Sequence, residues 1–218
     1  MSLTHYTLAN RLFWFQVFVT IAFFIPVQIK KLLAEREGVI LTPFLLVSIY
    51  CVFVLVTAIR SHRAAPSETT KQMIWIWVLG IIAYVSFTTI FVLRTDDIWN
   101  PNDTVNAICA LIGVGGAIAL VKAKRLPVEH PAVPMSIALS FRIVPQLMLA
   151  LNVIAKRNAD GLSWAFIWCF HIALAGRIWL SVLMVRENGA DMHRKCILVA
   201  ESLSWASWCV VTTAWIMY

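Results

Sequence analysis

The sequence predicts an all-α integral membrane protein with seven transmembrane helices, and three observations support this prediction. Of the 218 residues, 61% are hydrophobic and only 13% are charged, whereas soluble globular chains carry roughly 25% charged residues. Seven apolar runs are each long enough to cross a bilayer as a helix, which takes about 20 residues. None of these runs alternates like the strands of an outer-membrane barrel, and an open sheet edge has no partner in lipid. The composition therefore excludes a single water-soluble core and a disordered tail.

The apolar runs follow one another with short polar connections between them. They cover residues 12–32, 43–60, 72–93, 104–122, 132–155, 163–185 and 196–217. The first run is too long for the hydrophobic part of a signal peptide and has no small-x-small cleavage pattern after it, so we expect it to be retained. Because the connections leave no room for a soluble domain, we expect the functional site to lie inside the bilayer.

Residues that cap or break helices occupy three of the connections. Thr42-Pro43 predicts an N-cap followed by proline at the first helical position. The Gly-Leu-Ser triplet at 161–163 predicts a turn glycine and then a serine cap for the sixth span. The Asn-Pro-Asn-Asp segment at 100–103 predicts a break, with Asp103 or Thr104 capping the fourth span.

The formal net charge of +7 does not indicate nucleic-acid binding, because the Lys and Arg residues are scattered between the apolar runs. A role in anchoring the loops explains them better. If the N-terminus is cytoplasmic, that side holds ten of the loop Lys and Arg residues and the other side holds six. The positive-inside rule then weakly favours a cytoplasmic N-terminus.

An internal repeat relates the first three spans to the last three. Pro26 and Pro145 lie 119 positions apart, and Gly38 and Gly161 lie 123 positions apart. In both copies a proline precedes a basic turn, a glycine and a new apolar run. One extra helix between two units of three spans leaves both units in the same orientation. The sequence therefore predicts a 3+1+3 arrangement of two parallel three-helix bundles, residues 12–93 and 132–217, joined by a linker helix at 104–122.

The second copy carries the residues of a known motif. Pro145-Gln146, Asn152, Lys156 and the Gly-Leu-Ser triplet resemble the proline-glutamine, asparagine, lysine and glycine-leucine-serine series of PQ-loop proteins, the superfamily of the SWEET and cystinosin transporters. Together with the 3+1+3 pattern, the resemblance covers nearly the whole chain. It implies a SWEET-like fold that works by alternating access, with the N-terminus on the non-cytoplasmic side. The first copy departs from the motif, since Pro26 and Gln28 are separated by a valine.

The two prolines and the amides that follow them form the first group of candidate site residues. A proline inside a transmembrane helix frees a carbonyl group and kinks the helix. Since Pro26 and Pro145 correspond, the hypothesis is a pair of hinges on which each bundle rocks; the alternative is that proline is common in transmembrane helices. Gln146 is expected to bond the freed backbone, and Asn152 either caps its helix or contacts substrate.

Four ionisable residues within the last three spans give the strongest indication of a site. They are Arg142, His171, Arg177 and Glu201, and such residues in lipid are rare and usually face the bundle interior. Arg142 is near mid-membrane, whereas Glu201 lies within reach of the interface. In the functional hypothesis an arginine holds a substrate carboxylate while Glu201 or His171 takes up a proton. The alternative is a structural ion pair of Glu201 with one arginine, and a packed, hydrogen-bonded His171.

These residues favour a transporter over an enzyme. The sequence contains no catalytic constellation and no cysteine spacing typical of metal or redox sites, so we expect no enzyme activity, metal or cofactor. The predicted function is alternating-access transport of a small polar metabolite, and an amino acid suits intramembrane arginines and an acid better than a neutral sugar does. A sugar transporter, or a receptor or trafficking adaptor on this fold, as KDEL receptors are, is the alternative.

The expected partners are a small-molecule substrate, protons if transport is coupled to them, and the lipid bilayer, with no nucleic acid. The expected location is a bacterial inner membrane or an endolysosomal-type membrane. No feature of the sequence indicates an oligomeric state.

Overall fold

The structure, a computed structural model, describes residues 3–35, 39–64, 66–94, 99–123, 125, 130–188 and 192–218. Every regular element within these ranges is helical. Gly38, which marks the turn of the first predicted repeat, lies outside the described residues.

Seven helical spans make up the described chain. The first span comprises Leu3–Val19, a π-helical segment Thr20–Phe24, and Ile25–Ala34; the next three are Leu41–Ala64, Glu68–Arg94 and Pro101–Ala123; the fifth comprises Ala132–Ala138, a π-helical segment Leu139–Ile143, and Val144–Lys156; the last two are Trp164–Asn188 and Met192–Met217. Each span contains a segment long and apolar enough to cross a membrane. The prediction of seven membrane-spanning helices is therefore confirmed, and the chain is an integral multi-pass membrane protein. Several helices extend beyond their apolar runs because polar turns continue the same helix outside the hydrocarbon.

The first and fifth spans share one irregularity. In each, five residues form a π-helix, and a proline follows two positions after its last residue. Thr20 and Leu139, which begin the two π-helical segments, are 119 positions apart, as are Pro26 and Pro145. π-Helices are rare and occur mostly as single-turn interruptions of α-helices, frequently at functional sites. The same interruption therefore occurs at corresponding places of the repeat that the sequence indicates.

The first three spans and the last three, called the two halves below, pack in a corresponding way. The third span lies against the first and the second, and the seventh lies against the fifth and the sixth. Between the halves, the π-helical segment of the first span packs against the sixth span, and that of the fifth span packs against the second. The fourth span lies against the fifth and the second. Each broken helix thus contacts the other half of the molecule.

An aromatic cluster fills the space where the halves meet. Phe24 of the first span stacks on Phe166 of the sixth, with ring centroids 5.2 Å apart and planes inclined by 16°. Phe44 and Phe87 meet the same Phe166 ring edge-on at 5.9 and 5.8 Å. Aromatic pairs of this kind contribute about 0.5–1.5 kcal/mol each beyond their burial. The cluster therefore holds the first three spans against the sixth.

Helix caps agree with the sequence at one connection and differ at two. The Ser163 hydroxyl accepts a hydrogen bond from the Phe166 backbone N–H at 3.0 Å, which confirms the predicted serine cap. The second span begins at Leu41, so Thr42 is not its N-cap; instead Asp103 of the fourth span accepts bonds from the Thr42 N–H and hydroxyl at 2.7 and 2.6 Å. A carboxylate at a helix N-terminus is a stronger acceptor than a hydroxyl.

Asn100 takes the capping position of the fourth span that Asp103 or Thr104 was predicted to hold. The helix begins at Pro101, and the second oxygen of Asp103 accepts the Asn100 N–H at 2.9 Å. This is the reach-back contact of a capping box. Asp103 therefore supports the starts of both the second and the fourth spans.

Candidate functional site

The three charged residues of the last spans lie together, and a pair of them forms the centre of the cluster. Arg142 donates to Glu201 through both terminal nitrogens, with Nη1–Oε1 at 2.8 Å and Nη2–Oε2 at 2.9 Å. The side chains are only 1% and 2% exposed. The position of Glu201 near the start of its span suggests that it reaches the membrane interface. Its carboxylate is instead buried in the protein interior, because Arg142 holds it there. Such a two-pronged geometry is the strongest arrangement of an arginine and a carboxylate.

Arg177 is the third member of the cluster and is held less closely. Its Nε lies 3.3 Å from Oε2 of Glu201, yet neither Nε nor Nη2 has a hydrogen-bond partner among the described residues. The guanidinium lies 5.2 Å from the ring centroid of Trp77 and 5.7 Å from that of Phe170. Arg177 thus rests on two aromatic faces beside a carboxylate whose best positions are already taken.

The cluster lies where the two halves of the molecule meet. Arg142, Arg177 and Glu201 come from the fifth, sixth and seventh spans, whereas two aromatic rings come from the second and third. The Arg142 guanidinium lies 5.4 Å from the centroid of the Tyr50 ring, and Trp77 faces Arg177 in the same way. A change in the contact between the halves would therefore change the surroundings of both arginines.

The broken fifth helix places Arg142. This residue belongs to the π-helical segment Leu139–Ile143, which turns its side chain through a different angle from that of an unbroken α-helix. The fourth span supports the segment at Gly113, where a Cβ atom would collide with the Ser140 side chain. Only a residue without a side chain fits there, so Gly113 permits the close approach of the two helices.

A small cavity opens beside Arg177 between the first, third and sixth spans. Its volume is about 40 Å³, and polar groups of Gln16, Thr20 and Tyr84 line it together with Arg177. The rest of the described lining is apolar or weakly polar: Val17, Phe24, Ile76, Leu79, Gly80, Ala83, Cys169, Phe170 and Ala173. Of the residues that the structure describes, Arg177 is thus the one with a charge that faces this cavity.

His171 lies on another face of the sixth span and does not join the cluster. Its Nε2 is 2.7 Å from the Thr212 hydroxyl, and its Nδ1 accepts a hydrogen bond from the Trp205 indole at 2.9 Å. An accepting Nδ1 requires the neutral ring with its proton on Nε2. The two contacts match the packed, hydrogen-bonded histidine of the alternative interpretation.

Asn152 lies near the end of the fifth span and contacts the start of the fourth. Its side-chain carbonyl oxygen accepts a hydrogen bond from the Asn102 side-chain amide at 2.9 Å. The side-chain nitrogen of Asn100 lies 3.5 Å from the same oxygen. The Asn152 side chain is 1% exposed. The structure therefore places Asn152 at the end of the fifth span away from Arg142, between two helices rather than at the charged cluster.

The two proline regions differ in their surroundings. Pro145 is buried whereas Pro26 is exposed on the outer face of the first span. Gln146 does not bond the backbone that Pro145 frees; its carbonyl oxygen accepts hydrogen bonds from Ser204, at 3.2 Å, and from Ser207. Both hydroxyl groups belong to the seventh span, so the amide bonds to that span rather than to the backbone of its own helix.

Gln28 is a functional candidate that sequence reasoning did not single out. It is fully buried, donates to the Gly161 carbonyl at 2.9 Å, and accepts from the Ser163 N–H and hydroxyl at 3.1 and 2.8 Å. One side chain thereby ties the first span to the start of the sixth. A glutamine in an apolar run, two positions after a proline, was the available signal, but its partner lies 135 positions away.

No protein-family model, curated protein or solved structure matches the chain. Any proposal about function therefore rests on the residues of this chain and their contacts.

Proposed function

We propose that this chain is an alternating-access transporter of a small polar metabolite, with an amino acid as the preferred class of solute. In this proposal spans one to three and spans five to seven form two bundles, and the fourth span links them. The resemblance of Pro145-Gln146 and the Gly-Leu-Ser triplet to the PQ-loop motif supports the same assignment.

The observation that carries the proposal is the crosswise packing of two matched, broken helices. Each π-helical segment lies in the first helix of its own bundle and packs against the second helix of the other bundle. A π-helix replaces regular i to i−4 bonding with weaker geometry, so it is a place where a helix bends at low cost. Two such places, related by the repeat, allow the bundles to rock against each other in both directions.

In this proposal the contacts of Gln28 close one end of the pathway between the bundles. Gln28 reaches from the first bundle to Gly161 and Ser163 of the second, and Phe24 stacks on Phe166 directly beneath. Opening of this end would require the separation of these groups. In the proposal, a solute exchanges with the opposite side while these contacts are made.

The charged cluster is the solute site in the proposal. Its arginines suit the carboxylate of an amino acid, because guanidinium groups bind carboxylates through two parallel hydrogen bonds. Asn152 and the asparagines that it contacts would then serve the closed end. Glu201 is the candidate proton carrier, and His171, which is distant from the cluster, is the weaker one.

The experiment that tests transport is solute flux into proteoliposomes that contain the full-length chain. Labelled glycine, glutamate, lysine and glucose are offered on one side, and uptake is followed against empty liposomes. We expect saturable uptake of at least one amino acid and none of glucose. Saturable binding of the same solutes without flux would contradict transport and would favour the receptor alternative.

A covalent tie tests whether flux needs the rocking motion. In a background without native cysteines, Gln28→Cys and Ser163→Cys are joined by a short bifunctional methanethiosulfonate reagent, which holds the first and sixth spans together. We expect the reagent to abolish flux and a reductant to restore it. Each single-cysteine variant, treated in the same way, is the matched control, and flux that continues through the cross-linked protein would refute alternating access at this end.

A further inference from the structure

The charged cluster carries an unmatched positive charge in the interior of the membrane. Arg142 and Arg177 face a single carboxylate, and within the described ranges Glu201 is the one acidic partner of either arginine. A guanidinium keeps its proton in proteins and cannot become neutral. A buried charge without a counter-ion is strongly unfavourable. The cluster as described is therefore electrically incomplete.

The missing negative charge belongs beside Arg177 rather than Arg142. Arg142 already uses both terminal nitrogens on Glu201. Arg177 is 8% exposed, and its Nε and Nη2 hydrogens find no acceptor in the described part of the chain. The rings of Trp77 and Phe170 favour a cation over their faces, but they contribute no net charge.

The cavity beside Arg177 has the size and the lining of a small anion site. Its volume of about 40 Å³ exceeds the roughly 10–15 Å³ that one water molecule requires, so it has room for a halide or for the carboxylate end of a small solute. None of the described residues that line it is acidic, and Gln16, Thr20 and Tyr84, whose side chains are polar, line it together with Arg177. A halide or a single carboxylate group fits this description.

Gln16 forms the wall of this cavity because the neighbouring residue of the sixth span is a glycine. A Cβ atom at Gly176 would lie 2.5 Å from the Gln16 side-chain oxygen. The amide therefore lies directly on the backbone next to Arg177, where its two N–H groups are available as further donors. Gln16 of the first span and Arg177 of the sixth thus line the same cavity.

We propose that Arg177 binds one monovalent anion in this cavity, while Glu201 neutralises Arg142. The inference rests on the proposed function and deepens it, since it assigns the carboxylate of the solute to Arg177 alone. A free halide offers the same chemistry, and a comparison of chloride with small carboxylates separates the two sources.

The test is thermal unfolding of the full-length protein in detergent and sodium HEPES, a buffer that contains neither chloride nor a carboxylate. Chloride, formate and acetate are added in turn, as is glycine, a zwitterion that carries the same carboxylate group, and acetamide serves as the uncharged counterpart of acetate. We expect the anions of matching size to raise Tm by about 5 °C at saturation, because a ligand of the folded state stabilises it by mass action. Acetamide should have no effect.

A response to formate, acetate and glycine but not to chloride assigns the site to the carboxylate of a solute, and an equal response to chloride assigns it to a free anion. No response to any anion would overturn the proposal.

Two variants and one control variant locate the site. Arg177→Gln should lose the anion response and, without anions, unfold at a temperature no lower than that of the unmodified protein, since an unmatched charge is removed. Arg186→Gln, which changes an exposed arginine of the same helix, should keep the full response. Gly176→Ala pushes Gln16 into the cavity and should raise the half-saturating anion concentration at least tenfold. An anion response that survives Arg177→Gln, or that is unchanged by Gly176→Ala, would refute this location.

The outcomes separate the anion site from the proposed transport. The stabilisation is measured in detergent and requires no flux. An anion response that depends on Arg177, in a protein without flux of any solute, would retain the site and reject transport. Amino-acid flux in a protein without an anion response would do the reverse.

Discussion

At the scale of single residues, the structure shows which of several intramembrane charges are partners. The sequence places Arg142, Arg177 and Glu201 within apolar runs, and the rarity of such residues in lipid was enough to select them. Which arginine faces the glutamate depends on the rotation of three helices about their axes. A sequence pattern does not determine that rotation when one of the helices contains a π-helical turn. The sequence thus selected these three residues together with His171, but it did not show which of the four lie together or how they pair.

The charge count of the cluster predicts an order of stability for three variants in which one charged residue is replaced by glutamine. Arg177→Gln leaves the neutral Arg142–Glu201 pair, Arg142→Gln leaves a neutral but poorly aligned pair, and Glu201→Gln leaves two adjacent cations. We expect Glu201→Gln to reduce the free energy of unfolding most, by about 3–5 kcal/mol or more. Arg142→Gln should be intermediate, and Arg177→Gln should have the smallest effect.

Thermal and denaturant unfolding in the same detergent measure this order. The matched control is Ser202→Ala on the exposed face of the seventh span, next to Glu201. Equal losses in Arg142→Gln and Glu201→Gln would show that hydrogen bonds, and not net charge, govern the cluster.

At the scale of elements, the fit of the fourth span against the broken fifth helix depends on one glycine out of three. Gly113 lies under Ser140, whereas a Cβ atom added at Gly115 or Gly116 would meet no other atom of the described residues within 4 Å. Small residues such as these commonly allow close helix packing in membranes. The sequence does not show which of the glycines faces a neighbour, because that again depends on helix rotation.

Gly113→Ala and Gly116→Ala form a matched pair within one helix. The first forces Ser140 and the π-helical segment away and should destabilise the protein by about 1–3 kcal/mol. The second meets open space and should be neutral or stabilising by up to about 1 kcal/mol, because alanine favours the helix over glycine. The difference in unfolding temperature between the two variants tests the contact, and similar values would contradict it.

The helix ends show where local sequence rules suffice. Ser163 caps the sixth span as predicted, since its acceptor and donor lie three residues apart. The second span differs because Asp103, 61 positions away from Thr42, supplies a charged acceptor. Local capping patterns therefore hold until another helix brings a stronger group to the same N–H.

At the scale of the whole molecule, one buried amide joins the first span to the start of the sixth. Gln28 makes three hydrogen bonds across the two proposed bundles, whereas Gln72 bonds Asn10 within one of them. Both glutamines are buried. A comparison of the two separates closure between the bundles from ordinary loss of a buried hydrogen bond.

Loss of Gln28 should expose the interior from the closed end. Each hydrogen bond of this kind contributes about 1 kcal/mol, so Gln28→Ala should raise the labelling rate of the buried Cys169 by a thiol reagent at least tenfold. The experiment uses a chain in which the other cysteines are replaced: Cys51, Cys109, Cys196 and Cys209. Gln72→Ala should leave the rate nearly unchanged, and an equal increase in both variants would point to general loosening.

The extent of the fold that the sequence predicts follows from physical range. Span number and approximate limits were predictable because the bilayer imposes a length and a composition on each helix. The proline repeat also indicated two corresponding helices. The π-helical segments, the Gln28 contacts and the cavity at Arg177 were not predictable, since each depends on contacts between residues far apart in the chain.

The matched π-helical segments also bear on the history of the chain. A π-helical turn is an α-helix with one residue inserted, and here the π-helical segment begins six residues before a proline in both halves, 119 positions apart. Two independent insertions at the same site would require a coincidence, whereas a single insertion in an ancestral three-helix unit would be copied when that unit was duplicated. On this view the irregular helix is older than the seven-span chain.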